Sequence, residues 1–189
     1  MTPVEFLWIA LIIAFAVIGA VRGLRKELGA TTILLLSLFT LHVIETQILA
    51  RLSPALQSGP LAGAPEGTSA ALYYGVTILF VAFISYEGIV LQFPVRELGG
   101  PGKALFGMVG GLLNGYLIIG TIWDVVNKAN YFGIEVDLGT SGDKIAISSY
   151  LTELHAGMVK YLPVSLMDDF SPYVMLVLGM ILLLAIVLR

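Results

Sequence analysis

Cysteine is absent from the 189 residues, and histidine occurs only at His42 and His155. Without thiols the chain has no disulfide, no thiolate metal site and no cysteine nucleophile. Two histidines without an obvious third ligand give no basis for zinc. Charge is also scarce: charged residues make up 12% of the chain, against about 25% in an average soluble domain. The basic residues are scattered, with no basic helix and no aromatic-basic alternation, which excludes a nucleic-acid surface. The motifs G-x-S-x-G, H-E-x-x-H and G-x-x-x-x-G-K-[ST] are missing as well. Gly99-Gly-Pro-Gly-Lys103 has no strand before it and no Ser or Thr after it, so it reads as a turn. These absences point to a protein that is not an enzyme and needs no cofactor.

What is present is hydrocarbon. Apolar residues make up 58% of the chain, in long runs separated by short polar connectors. The pattern predicts an all-α, polytopic membrane helix bundle of about five transmembrane helices and one interfacial amphipathic helix. The spans fall near Val4–Val21, Leu28–Leu49, Ala70–Phe93, Ala104–Val126 and Tyr173–Leu188. Residues 1–126 would form a four-helix core, 127–171 an extracytoplasmic segment and 172–189 the fifth span. The first run has no positive charge before it, so it reads as a retained span rather than a signal peptide. Within 127–171, Ile147, Tyr150, Leu151, Leu154, Met158, Tyr161 and Leu162 recur at helical spacing. They predict an amphipathic helix capped by Ser141 or Asp143 and ended by Pro163.

Orientation follows from basic residues in the short connectors. Arg22, Arg25 and Lys26 lie in the first, and Arg96 and Lys103 in the second, which places both in the cytoplasm. The N-terminus is then outside and the C-terminus inside. Trp8, Tyr73, Tyr74, Trp123 and Tyr131 would fall near the outer interface.

Several residues stand out within the apolar runs. Gly107, Gly111 and Gly115 share one helix face, which in lipid favours close approach of another helix. Asn114 lies beside them, about 15 Å into a hydrocarbon core about 30 Å thick. It reads first as interhelical glue and second as a transport residue. His42 and Glu45 lie three residues apart on one face. They read as polar groups reaching the outer interface near Asp124 and Lys128, or as a proton relay. Glu87 is expected to pair with Arg22 or Arg25, or to snorkel.

The stretch Gly19-Ala-Val-Arg22-Gly23-Leu-Arg-Lys-Glu27 ends the first span with G-x-x-R-G and then x-x-x-E. With the later glycines at four-residue spacing and the Ser149–Pro163 segment, it resembles the CvpA family, the colicin V production proteins of bacterial inner membranes. The resemblance covers roughly residues 1–165, and the fifth span lies outside the family's usual four. It implies an inner-membrane location and a role in secretion or envelope maintenance. The expected function is that of a non-enzymatic scaffold or accessory component. Its partners would be the lipid bilayer and another membrane protein, or copies of itself. The rival expectations are a small oligomeric transporter or channel using Asn114, His42, Glu45 and Glu87, or a subunit of a larger energy-converting complex attached through the fifth span.

Reporter fusions after Glu27 and Lys103 should behave as cytoplasmic, and fusions near Gly59 and Asp143 as external. The opposite pattern at the first two sites would reverse the orientation. An external reporter at Arg189 would mean that the last span does not cross.

Overall fold

The computed structural model describes residues 4–59, 62, 67–87, 91–93, 99–137, 144–146, 153–169 and 172–188. It is an all-α bundle. Helix α1 (Val4–Arg22) is followed by α2 (Leu24–Ile44), which passes through a π turn at Glu45–Leu49 into α3 (Ala50–Gln57). Helix α4 is Thr68–Glu87. Helix α5 (Pro101–Gly115) runs through a π turn at Tyr116–Gly120 into α6 (Thr121–Lys128). A small antiparallel hairpin, β1 (Glu135–Asp137) with β2 (Lys144–Ala146), precedes the short helices α7 (Glu153–Val159) and α8 (Pro163–Asp169). Helix α9 (Tyr173–Val187) ends the described chain.

Among the described residues, four helices are long and apolar enough to cross a membrane: α1, the continuous stretch Leu24–Ile48, α4 and the continuous rod Pro101–Lys128. The fifth expected span is α9, whose 15 residues reach only roughly 22 Å against a core of about 30 Å. It packs on α2, where Gly179 makes room for Leu36 and Leu35. The centre of the bundle is formed by Leu34 and Leu38 of α2, Tyr74 and Ile78 of α4, and Leu117 and Ile118 of the π turn. Its perimeter is apolar and exposed, with Phe6, Leu7, Val76, Phe80, Phe83, Leu105, Val109 and Ile181 facing outward. Such a surface suits lipid and not water.

The expected basic connector at 22–27 is not a connector. Arg22 is the last residue of α1, only Gly23 breaks the helix, and Arg25, Lys26 and Glu27 already belong to α2. Gly23 turns the chain at φ +83°, a left-handed conformation that costs glycine little. The stem of Lys103 lies over it. The chain after α4 returns to this turn, where Phe93 and Arg25 exchange backbone and side-chain hydrogen bonds.

The expected helix across 147–162 also differs. Strand β2 stands just before it, residues 141–143 and 147–152 lie outside the described residues, and α7 begins at Glu153. Pro163 opens α8 instead of ending the preceding helix. Proline has no N–H to lose in a first turn, and the turn is capped from another helix. The buried Asp124 carboxylate accepts the Ser165 N–H at 2.6 Å and the Ser165 hydroxyl at 3.0 Å. Tyr161, assigned to the apolar face, is exposed, and His155 is buried in its place. Of the expected outer aromatic belt, Tyr74, Trp123 and Tyr131 are buried in protein, because each packs between helices or beneath α7, and Trp8 and Tyr73 are partly buried.

Helices α1 and α5 meet backbone to backbone. A Cβ added to Gly107 would strike the Gly19 carbonyl, and one on Gly111 the Phe15 carbonyl. At Gly115 it would lie 2.7 Å from Phe15 Cβ, and at Gly19 2.6 Å from Gly111 Cα. Leu112 points away from this contact and is partly exposed.

Gly111→Leu should therefore destabilise the purified protein in mild detergent far more than Leu112→Ala. Forcing the two backbones apart costs about 1–3 kcal/mol or more, whereas lipid tails or detergent fill the gap left by Leu112. Equal thermal aggregation of the two variants would mean that the glycine contact does not hold the bundle.

Candidate functional site

At the end of the bundle where α1 gives way to α2, four helices converge on one carboxylate. Glu27 is fully buried in the first turn of α2, where the positive end of the helix dipole favours a negative charge. Its Oε1 accepts a hydrogen bond from Arg22 Nη1 at 2.9 Å. Its Oε2 accepts from the Tyr86 hydroxyl of α4 at 2.9 Å and from Asn114 Nδ2 of α5 at 2.7 Å. Asn114 Nδ2 also donates to the Glu27 carbonyl at 3.0 Å, and Thr31 donates to Asn114 Oδ1 at 2.7 Å.

Arg22 is held on two further sides. Its Nη2 donates to the Ser85 carbonyl at 3.0 Å, and its Cζ lies 3.9 Å from the centre of the Tyr86 ring. Tyr86 in turn meets Phe15 edge to face at 5.4 Å. Gly110 completes the site by its smallness, since a Cβ there would lie 2.7 Å from Glu27 Cβ. The cluster contains one positive and one negative charge, so burying it does not leave an uncompensated ion.

The arrangement brings Arg22, Glu27 and Asn114 together and seats Gly19, Gly107, Gly111 and Gly115 in the adjoining α1–α5 contact. Tyr86, Thr31 and Gly110 were not singled out from the sequence. Thr31 lies one helical turn beyond Glu27, and Tyr86 faces inward where its neighbour Glu87 faces out. Glu87 does not pair with Arg22 or Arg25. It is exposed, because Arg22 is already committed to Glu27 and Arg25 to Phe93.

His42 and Glu45 lie toward the far end of α2, away from this cluster. Glu45 accepts the Tyr74 hydroxyl at 2.6 Å, and the buried His42 Nδ1 has no hydrogen-bond partner among the described residues. Asp124 and Lys128, expected near them, form a pair at 3.9 Å that anchors α8.

A second polar cluster sits where α7 and the Asn130–Gly133 turn meet the bundle. Trp8 of α1 stacks on Trp123 of α6 at 6.0 Å, and Trp123 faces the His155 ring at 5.6 Å. His155 Nε2 lies 2.8 Å from Asn127 Oδ1, and the charge of the buried Glu5 of α1 acts on the His155 ring. Burial lowers the His155 pKa, and the charge of Glu5 opposes that shift. The neutral ring thus belongs to the folded state. Its contribution to stability is whole above the ordinary histidine pKa and is lost as pH falls toward the lowered value. Tyr131 reaches the cluster from Asn130–Gly133, a turn with left-handed φ throughout.

Among the described residues, no group of three His, Asp or Glu side chains is placed to hold a metal ion. Compared with protein-family models, curated proteins and solved structures, the chain matches none. The chemistry of the Glu27 cluster is that of a lock. Its acceptor sites meet protein donors from three neighbouring helices, so it joins those helices together.

Glu27→Ala should cost about 3–5 kcal/mol by stranding Arg22, and Glu27→Gln about 1–3 kcal/mol. Combining Arg22→Met with Glu27→Leu should recover part of that loss. Denaturant or thermal unfolding in detergent measures all three variants. Additive losses would show that Arg22 and Glu27 do not act as a pair.

Proposed function

We propose that this chain is a non-enzymatic integral membrane protein of the CvpA type, acting as a scaffold or accessory component of an inner-membrane secretion or envelope assembly. The observation that carries the reading is the state of the intramembrane polar groups. Transport residues face a water-filled path and keep hydrogen-bonding capacity for their cargo. Asn114 and Glu27 are instead fully buried and bonded to Thr31, Tyr86 and Arg22. The polar groups are used for assembly, and the surface left for partners is the apolar perimeter. On this reading the Arg22 end of the bundle is cytoplasmic and the α7–α8 segment external.

One observation favours the transporter reading: the buried His42 Nδ1 has no hydrogen-bond partner among the described residues, one turn before the Glu45–Tyr74 bond.

Purification in a gentle detergent followed by mass spectrometry separates the two. A stoichiometric complex with a different membrane protein is the expected result. A homogeneous oligomer that carries ions across liposome membranes, with the flux abolished by His42→Ala, would overturn the scaffold reading.

A further inference from the structure

Helices α1 and α4 lie on either side of a lateral groove of ≈ 460 Å³. Its walls are Phe15 and Ile18 from α1 and Leu79 and Phe83 from α4. Arg22 and Glu87 also line it, and each is the last residue of its helix. Charged residues at the ends of apolar helices of crossing length mark the headgroup level of a bilayer. From there the apolar walls run inward for roughly 10–12 Å, the distance spanned by seven or eight helical residues.

Shape and charge decide between two kinds of occupant. The groove opens between two apolar helices, has a volume of ≈ 460 Å³ and includes the charged residues Arg22 and Glu87. A molecule with an apolar tail and a charged head matches that pattern, whereas an apolar partner helix would offer nothing to the exposed Glu87.

Charge decides the headgroup. The Arg22 guanidinium is fixed by Glu27, the Ser85 carbonyl and the Tyr86 ring; these bonds use two of its five N–H donors, and its side chain remains 15% exposed. Guanidinium donors suit a phosphate. Glu87 is exposed and has no ion-pair partner among the described residues. Its carboxylate repels an anionic headgroup and accepts hydrogen bonds from an ammonium. Arg25 is engaged by Phe93, Lys103 lies over Gly23, and Lys26 is exposed; none of them lines the groove.

We propose that the α1–α4 groove binds a phospholipid with a primary-ammonium zwitterionic headgroup, its acyl chain between Phe15, Ile18, Leu79 and Phe83, its phosphate on Arg22 and its ammonium on Glu87. Trimethylation of the ammonium removes the N–H donors that Glu87 accepts, and an anionic headgroup meets Glu87 unfavourably.

The test is native mass spectrometry of delipidated protein re-equilibrated with equal amounts of phosphatidylethanolamine, phosphatidylcholine and phosphatidylglycerol of the same chains. Phosphatidylethanolamine should be retained about two- to fivefold over the other two, the range expected of a partly exposed charge-assisted contact. Glu87→Gln should abolish that preference, and Leu79→Trp, which narrows the groove from an exposed position, should lower retention of all three lipids. Both variants lie outside the Glu27 cluster, so folding is not at issue. Equal retention of the three lipids by the unaltered protein, a preference for phosphatidylglycerol, or a preference that survives Glu87→Gln would overturn the headgroup assignment. Undiminished retention in Leu79→Trp would overturn the groove.

Discussion

A carboxylate buried among apolar helices must be neutralised and hydrogen-bonded, and Glu27 imposes that condition on the whole bundle. Its partners come from the ends of α1, α4 and α5. None of these helices can move away without leaving a charge or a polar group unpaired in hydrocarbon. Satisfying Glu27 therefore sets the relative depth of four helices. The glycine contact is the steric condition for that arrangement. Only with Gly19 against Gly107 and Gly111 does α5 come close enough to α1 for Asn114 to reach the Glu27 main chain and side chain together. Gly110 supplies the remaining space, so the electrostatic lock and the small-residue face form one device.

The other end of the bundle uses a different acid in a similar way. Asp124 is buried in α6 and caps the first turn of α8, with Lys128 nearby. A short helix with proline in its first turn has few ways to satisfy its N-terminal amides. A carboxylate from a crossing helix ties that helix to the bundle. The Trp8–Trp123 stack and His155 dock α7 beside it. Left-handed backbone at Asn130, Tyr131 and Phe132 costs of order 1–3 kcal/mol per residue. Burial of the Tyr131 ring beneath α7 is the visible compensation.

The helical architecture was legible because long apolar runs have few alternatives. Four of the spans and the small-residue face of α5 follow from composition and period; of the stretch Gly99–Lys103 expected as a turn, only Gly99 and Gly100 precede α5, which begins at Pro101. The hub was legible only in pieces. Arg22, Glu27 and Asn114 stood out one by one, but Glu27 was assigned to a loop because charge density is usually a loop signal. A single glycine with positive φ makes that loop one residue long, and nothing in the local pattern distinguishes this from a longer connector. Tyr86 was hidden by Glu87, the more conspicuous neighbour. Which of two adjacent residues faces inward depends on the rotation of α4, and α4 is apolar on every side. The segment after α6 was least legible. Its helix-like spacing runs from just after β2 to just before α8, α7 takes up only Glu153–Val159 of it, and the cap at Asp124 is distant in sequence.

Arg22 links the interior of the bundle to its lipid-facing side. A free arginine at a helix end is a long, mobile side chain whose ordering by any ligand costs side-chain entropy. Here that cost is already met in folding, because Glu27, the Ser85 carbonyl and the Tyr86 ring fix the guanidinium before anything reaches its exposed side. Pre-organisation of this kind raises affinity by lowering the cost of binding and needs no added contact. The linkage also runs in reverse. A molecule that occupies the α1–α4 groove only when the bundle is formed stabilises the bundle by mass action. Since Arg22 belongs both to the groove and to the Glu27 lock, that stabilisation acts on the interaction that holds the four helices in register.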